Sequence, residues 1–255
     1  MRLPASWRRA AGELLQLLLP PACPFCGELL PPGPATTFCP DCRDDLPPLV
    51  APCCQRCALP FATSGGIMHL CETCLREEAP AFARVHAAGR YDGLLREAVH
   101  RFKYRGEIGL DQPLGLLLAE RLPALQGALL VPVPLHSGRL RERSYNQSLL
   151  LARVLGRSLG LPVAPTLLQR TRPTPPQQGL PAAVRRRNLQ GAFALEADPG
   201  DRCILLVDDV MTTGSTVREC ARVLGAGGAA RVEVAIVARA GRLAFQATDD
   251  PEVDC

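Results

Sequence analysis

Cys203-Ile204-Leu205-Leu206-Val207-Asp208-Asp209-Val210-Met211-Thr212-Thr213-Gly214-Ser215-Thr216 decides how the rest of this chain is read. An apolar run containing β-branched residues predicts a buried parallel strand. It stops abruptly at two adjacent carboxylates and a small, hydroxyl-rich turn that contains a glycine. Beyond the turn, Val217, Cys220, Ala221 and Leu224 share one face at helical spacing, so a helix starts there, with Ser215 or Thr213 expected as its cap. Strand, loop and helix start follow one another without a break.

A helix N-terminus wrapped by Thr212, Thr213, Gly214, Ser215 and Thr216 offers backbone N–H groups, hydroxyl donors and a favourable dipole. That combination suits a phosphate monoester. Asp208 and Asp209, just upstream, suit the neighbouring hydroxyls of a ribose, so the stretch describes a site for a ribose 5-phosphate. The plain alternative is that two acids end a strand and a hydroxyl caps a helix. The string ILLVDDVMTTGST resembles the 5-phosphoribosyl-1-pyrophosphate (PRPP) motif of type I phosphoribosyltransferases, in which hydrophobics, two acids and a TTGxT-type loop come in this order.

With 255 residues the chain has room for an α/β domain and an appendage. A net charge of +4 does not force nucleic-acid binding, although clustered basic residues can act locally. Aromatic residues make up only 4%, which argues against a base-stacking platform. The apolar runs are too short to cross a bilayer, so no integral membrane span is expected. At the N-terminus Arg2, Arg8 and Arg9 precede a leucine run in the manner of an export leader, but Glu13 and Gln16 interrupt it, and Pro20-Pro21-Ala22-Cys23 is a poor cleavage or lipidation site. An amphipathic helix over 1–22 and a cytoplasmic location are expected instead, with cysteines reduced and open to metal.

Nine of the twelve cysteines fall between Cys23 and Cys74, a proline-rich stretch without regular periodicity. They form the knuckles Cys23-x-x-Cys26, Cys39-x-x-Cys42, Cys54-x-x-Cys57 and Cys71-x-x-Cys74. Two residues between thiolates let both sulfurs face one tetrahedral ion, and two knuckles complete a Cys₄ site. Residues 23–80 are therefore read as two successive zinc ribbons holding two structural ions. A segment this small could not bury enough core to fold without metal. Disulfides are the competing explanation; Cys53 competes with Cys54 as a ligand, and His69 is a further candidate.

Residues 81–240 read as one α/β domain. Val85 to Tyr91 predicts a strand, and Leu94, Leu95, Ala98, Val99 and Phe102 the stripe of a packed helix whose outward face carries Arg96, Arg101 and Lys103. Leu114 to Leu122 predicts a second helix, and Leu129 to Val133 the next buried strand. Prolines and alternating arginines then follow in Val131-Pro132-Val133-Pro134-Leu135-His136-Ser137-Gly138-Arg139-Leu140-Arg141-Glu142-Arg143, a rigid turn suited to delivering cations to an anion. A surface basic turn is the alternative. Asn146 to Leu159 predicts a helix with Leu149, Leu150, Ala152, Leu155 and Leu159 inward, and Leu161 to Leu168 a strand. The proline-broken segment that follows, with Arg170, Arg172 and Gln178 and ending in Arg185-Arg186-Arg187-Asn188, has the length of a lid and leads into a short strand.

Taken together, a double zinc ribbon, FKYRGE, VPVPLHSGRLRERSYNQS, RTRPTPPQQGL with RRRNLQGAF, and the PRPP motif resemble the ComF (competence protein F) family, also called GntX-like. The departures are Tyr145 where phenylalanine is usual, and the doubled Cys53-Cys54. The resemblance implies a type I phosphoribosyltransferase-like, mostly parallel sheet flanked by helices, behind the ribbon domain. It implies a pentosyl-transfer site in which Asp208 and Asp209 hold the ribose diol with Mg²⁺, residues 212–216 the 5-phosphate, and His136, Arg139 and Arg143 the pyrophosphate. Arg170, Arg172, Gln178, Arg187 and Asn188 would belong to the closing loop. It also implies a role in DNA uptake during natural competence, with single-stranded DNA and a helicase-like competence protein as partners. Phosphoribosyl transfer to an unidentified nitrogen acceptor stands against a non-catalytic accessory role in which the PRPP site is a sensor or vestige. Residues 241–255 are expected to be a disordered acidic tail.

Overall fold

The computed structural model describes residues 20–31, 37–62, 66–136, 138, 140–141, 144–172 and 188–241. The expected N-terminal helix and acidic tail lie outside these, apart from residues 20–22 and 241. The chain divides into two compact units, Met1–Leu46 and Pro47–Cys255.

In the first unit an antiparallel bridge between Ala22 and Leu29 closes a turn around Cys23 and Cys26. Cys23 N–H donates to the Glu28 carbonyl at 2.7 Å, and Gly27 N–H to the Cys23 carbonyl at 2.9 Å. A short helix, α1 (Pro40–Asp44), starts at Cys39, whose Sγ accepts from Cys42 N–H at 3.4 Å. Leu30, Phe38 and Leu46 are buried, and the rings of Phe25 and Phe38 stack at 5.5 Å.

The second unit is built on a four-stranded parallel sheet of β1 (Val85–Arg90), β2 (Leu129–Pro132), β5 (Cys203–Met211) and β6 (Arg231–Arg239), in the order β1-β6-β5-β2. Two further strands, β3 (Leu168–Arg170) and β4 (Phe193–Leu195), form a separate antiparallel pair. The sheet is apolar on both faces because both are covered, as parallel strands require. Ile204 to Val207 of β5 and Val234 to Ala238 of β6 are almost wholly buried. Each such leucine, isoleucine or valine contributes about 1.5–3 kcal/mol of hydrophobic stabilisation.

The helices are α3 (Gly93–Tyr104), α4 (Asp111–Ala119), α5 (Gln147–Leu159) and α6 (Ser215–Ala226). Helices α4 and α5 pack together and against the sheet, where a Cβ at Gly115 would lie 2.6 Å from Val154. Helix α6 makes the crossover from β5 to β6, burying Val217, Cys220, Ala221 and Leu224, the face expected from their spacing. The second ribbon belongs to this unit. Its short helix α2 (Glu72–Leu75) follows Cys71, and Cys54, Cys57, Ala58, Cys71, Cys74 and Phe82 share one core cluster with Ile204, Leu206, Val217, Val234 and Ile236.

Two expectations are corrected. Leu161 to Leu168 is not one strand: Val163 makes a single parallel bridge to Leu130, and β3 begins only at Leu168, because Pro162 and Pro165 lack the N–H a ladder needs. Helix α5 buries Ser148, Leu151, Ala152 and Leu155, with Leu149, Leu150 and Leu159 only half-buried, so its inward face is rotated from the one expected. Its cap is Asn146, whose Oδ1 accepts from the Ser148 and Leu149 amides at 3.0 and 3.4 Å.

Candidate functional site

Parallel strands deliver their C-terminal ends to one edge of the sheet, where open α/β folds collect their ligands. Here that edge carries the ends of the neighbouring strands β5 and β2. The β5 turn needs its glycine. Gly214, rather than Ser215 or Thr213, is the N-cap of α6, with φ +77°, and a Cβ there would lie 2.3 Å from Met211 Cε and 2.6 Å from Arg218 Nη1. Thr213 Oγ1 nevertheless accepts from Ser215 N–H at 3.4 Å and lies 2.9 Å from Ser215 Oγ, so the hydroxyls do organise the turn. Gly214 and Ser215 are buried, while Thr212, Thr213 and Thr216 are half-buried.

The acid pair is held by residues from two helices. Asp208 Oδ1 accepts from Ser148 Oγ at 3.0 Å, at the start of α5. Asp209 Oδ1 pairs with Lys103 Nζ at 2.9 Å, from the end of α3. Desolvation, reinforced by the neighbouring Asp209, pushes Asp208 up to about 7, against the pull of Lys103 and Ser148. Burial works against the charge on Lys103, yet Asp209 and then Asp208 hold it above the ordinary lysine value.

Lys103 is thus a site residue, not part of a solvated face. Its position carried the signal: it stands four residues after Val99 and eight after Leu95, on the apolar stripe of α3. Arg101 is half-buried, its Nε 2.9 Å from both carboxylate oxygens of Glu107. Only Arg96 of the expected outward cations is fully exposed.

The segment after β2 leaves the sheet beside Asp208, since Val133 N–H donates to the Val207 carbonyl at 2.9 Å. His136 follows, half-buried, its Nδ1 accepting from Gly138 N–H at 3.2 Å, and the Asn146 side-chain amide ties the far end back to the Val133 carbonyl at 3.1 Å. Tyr145, in place of the usual phenylalanine, donates its hydroxyl to the Phe102 carbonyl. Arg139 and Arg143 lie outside the described residues, as do Gln178 and Arg187. Of the remaining closing-loop candidates, Arg170 lies 5.6 Å from the Phe193 ring, and Arg172 Nη2 donates at 2.9 Å to the carbonyls of both Asn188 and Gln190. Arg172 and Asn188 are therefore brought together at the base of the segment.

Two clusters gather four cysteine sulfurs each, Cys23, Cys26, Cys39 and Cys42 in one and Cys54, Cys57, Cys71 and Cys74 in the other, the four of each cluster lying within 4.8 Å of one another. Sulfurs bound at about 2.3 Å around a tetrahedral ion stand roughly 3.8 Å apart. The Cys26–Cys39 and Cys57–Cys71 separations of 3.5 and 3.6 Å fit that geometry, and the thiols are free rather than bridged. Both clusters fit structural zinc. Cys54, not Cys53, completes the second, and its Sγ accepts from the amides of Cys57 and Cys71. His69 stands outside the cluster, stacked on Phe61 at 4.2 Å. A hydrogen bond from Cys74 and the charge of Arg239 lower the Cys57 thiol to about 4, against its burial.

Sequence reading missed two arginines at the second cluster. Arg239, 3% exposed at the end of β6, donates to the Cys57 carbonyl and, through Nη2, lies 3.9 Å from Cys57 Sγ. Arg218, in the first turn of α6, places Nη2 3.7 Å from Cys74 Sγ. Their cysteine partners stand 182 and 144 residues away in sequence, beyond any local pattern.

A parallel sheet with this turn at its carboxyl edge, preceded by two Cys₄ ribbons, defines a phosphoribosyltransferase-like protein of the double-ribbon kind. Residues 14–75 match the double zinc ribbon domain family, and residues 146–251 the phosphoribosyl transferase domain family. The chain is 36% identical over 180 residues to competence protein F of Haemophilus influenzae, covering 67% of this chain and 78% of that one. It is 39% identical over 189 residues to the DNA utilization protein YhgH of Escherichia coli K12, covering 71% and 81%. Competence protein ComFC of Bacillus subtilis is 26% identical over 198 residues, covering 75% and 79%. The chain belongs to the ComF (competence protein F) family. No helix among the described residues is long and apolar enough to cross a membrane.

Proposed function

We propose that the protein binds PRPP or a related phosphoribosyl ligand at the carboxyl edge of β5 and β2, and transfers the phosphoribosyl group to a nitrogen acceptor in support of DNA uptake. The observation that carries this reading is the pairing of an acid couple, Asp208 and Asp209, with the glycine-dependent turn at the head of α6. Amides and hydroxyls of residues 212–216 would hold the 5-phosphate. The carboxylates would accept from the ribose hydroxyls. His136, with Arg139 and Arg143, would meet the pyrophosphate, and the segment from Arg170 to Asn188, including Gln178 and Arg187, would exclude water.

The reaction breaks the bond from ribose C1 to pyrophosphate and forms one to the acceptor nitrogen, through a transition state of oxocarbenium character. Such chemistry asks for positioning and for stabilisation of the leaving pyrophosphate more than for a strong base. Mg²⁺, a hard cation suited to this carboxylate pair, would supply charge neutralisation between diol and pyrophosphate. Lys103 keeps a positive charge against Asp209 in the free protein, so a cation at the acid pair competes with its ammonium.

Calorimetric titration of the zinc-loaded chain with PRPP and Mg²⁺ tests binding, and pyrophosphate release on adding candidate bases tests transfer. Binding is expected, and its absence would end the reading. Binding without turnover across all bases would favour the second reading, a non-catalytic accessory for single-stranded DNA and a helicase-like partner in the cytoplasm. The relatives named for competence and DNA utilization support a role in DNA uptake under either reading. A salt-dependent gel shift with single-stranded DNA, lost on replacing Arg185, Arg186 and Arg187, would support it.

A further inference from the structure

Three consecutive carbonyls of the phosphate turn accept hydrogen bonds from the two arginines that reach the second cysteine cluster. Arg239 Nη1 donates to the carbonyls of Met211 at 2.8 Å and Thr212 at 2.6 Å, while its Nε donates to the Cys57 carbonyl at 2.8 Å. Arg218 Nη1 donates to the Thr213 carbonyl at 3.0 Å, and the same guanidinium lies over the Phe82 ring at 5.4 Å. Glu77 accepts from Arg218 Nε, and Arg56, 3.7 Å from Glu77, donates to the Cys74 carbonyl at 2.6 Å.

A trans peptide is planar, with its C=O and N–H directed oppositely. Fixing the carbonyls of Met211, Thr212 and Thr213 toward the arginines therefore fixes the amides of Thr212, Thr213 and Gly214 in the opposite direction. Those amides belong to the turn assigned to the phosphate.

Each arginine is anchored on a different knuckle. Arg239 holds Cys57 and Arg218 holds Cys74. An ion that draws both knuckles together fixes the separation of these anchors, reinforcing the hydrogen bonds from Arg56 to the Cys74 carbonyl and from Cys71 N–H to Cys54 Sγ. Four thiolates on one divalent ion also leave the cluster negatively charged, and guanidinium N–H groups on such sulfurs are charge-assisted donors. Five N–H donors in a rigid fork let one arginine serve sulfur and carbonyls together, which lysine cannot do.

We infer that Arg239 and Arg218 are positioning residues through which the second zinc ribbon sets the phosphate turn, so that zinc in that ribbon and a phosphoribosyl ligand on the turn bind cooperatively. This rests on the reading of residues 212–216 as the phosphate site. Coupling is reciprocal: if the metal shapes the turn for the ligand, the ligand must hold the metal more tightly.

The test is zinc release from the full chain to a colorimetric chelator, with and without saturating ribose 5-phosphate. Of two ions, one is expected to leave roughly tenfold more slowly with the sugar phosphate present, within the usual range of coupling between sites. The slowed ion must persist in a Cys26→Ser/Cys42→Ser variant, which leaves only the second cluster loaded. Arg218→Gln is expected to retain its zinc, to bind ribose 5-phosphate more weakly, and to lose the protection; Arg218→Lys should restore little of it. Binding of ribose 5-phosphate that slows neither ion, or slows only the first cluster's, would overturn the coupling and leave the phosphate site standing. Failure of the zinc-loaded wild-type chain to bind ribose 5-phosphate at all would remove both.

Discussion

The two ribbons share a ligand set and nearly the same spacing, yet the chain uses them differently. In the first, Cys26 is exposed, and among the described residues the backbone N–H and C=O groups of the knuckle cysteines bond within a few residues of them. In the second all four cysteines are buried, the core cluster includes them with β5, β6 and α6, and two arginines bind their sulfurs to a turn at the sheet edge. A Cys₄ motif therefore specifies a metal but not what the metal supports. That is decided by the elements packed against it.

The sharpest way to break this contrast is to disable one ribbon at a time. Cys57→Ser/Cys74→Ser should lower the stability of the sheet-containing unit by at least about 3 kcal/mol, a fraction of the roughly 10–16 kcal/mol of apparent binding free energy at structural zinc sites. Cys26→Ser/Cys42→Ser should leave that transition in place. Thermal unfolding followed by circular dichroism distinguishes them, and equal shifts would erase the contrast.

Arg239→Met should come next. It strands the carbonyls of Cys57 and Thr212, each costing about 1–3 kcal/mol when left without a partner, while Met211 keeps the Ala240 N–H, so a loss of roughly 3 kcal/mol is expected by chemical denaturation. A near-neutral result would mean that the turn stands without the ribbon. Gly214→Ala should follow, at about 2 kcal/mol from its positive φ alone, together with a loss of PRPP binding as Met211 and Arg218 are displaced.

The smallest effect is set by pH. Asp208 is raised from 3.8 to about 7 in the folded chain, so the folded state holds a proton that the unfolded state has released between those values. Stability from this group is then present below about 4 and falls as pH rises toward 7, while Mg²⁺-dependent binding, which needs the carboxylate, should rise through the same upper limit. Titrating PRPP affinity from pH 6 to pH 8 should show that rise in the wild type and none in Asp208→Asn. Replacing Lys103 with methionine should move the midpoint upward, since its charge favours ionised Asp208.

What the sequence disclosed follows the range of each interaction. The β5 strand, its turn and α6 are contiguous, so periodicity and residue chemistry were enough to place residues 208–216. Cysteine spacing was enough for both clusters. Lys103 was legible in principle from the phase of α3, but its charge suggested solvent, and only the distant Asp209 explains its burial. Arg239 closes an apolar strand, an anomaly whose meaning lies 182 residues earlier at Cys57. The strand expected at 161–168 failed because two prolines outweigh its apolar residues.

Arg172, just before residues 173–187, clasps the backbone just after them, through the carbonyls of Asn188 and Gln190. A segment whose two feet are fastened to one another can be lengthened, shortened or exchanged at little expense to the scaffold beneath, because its closure is already secured. Grafting a fluorophore-bearing insert there would give a reporter of ligand arrival without rebuilding the sheet.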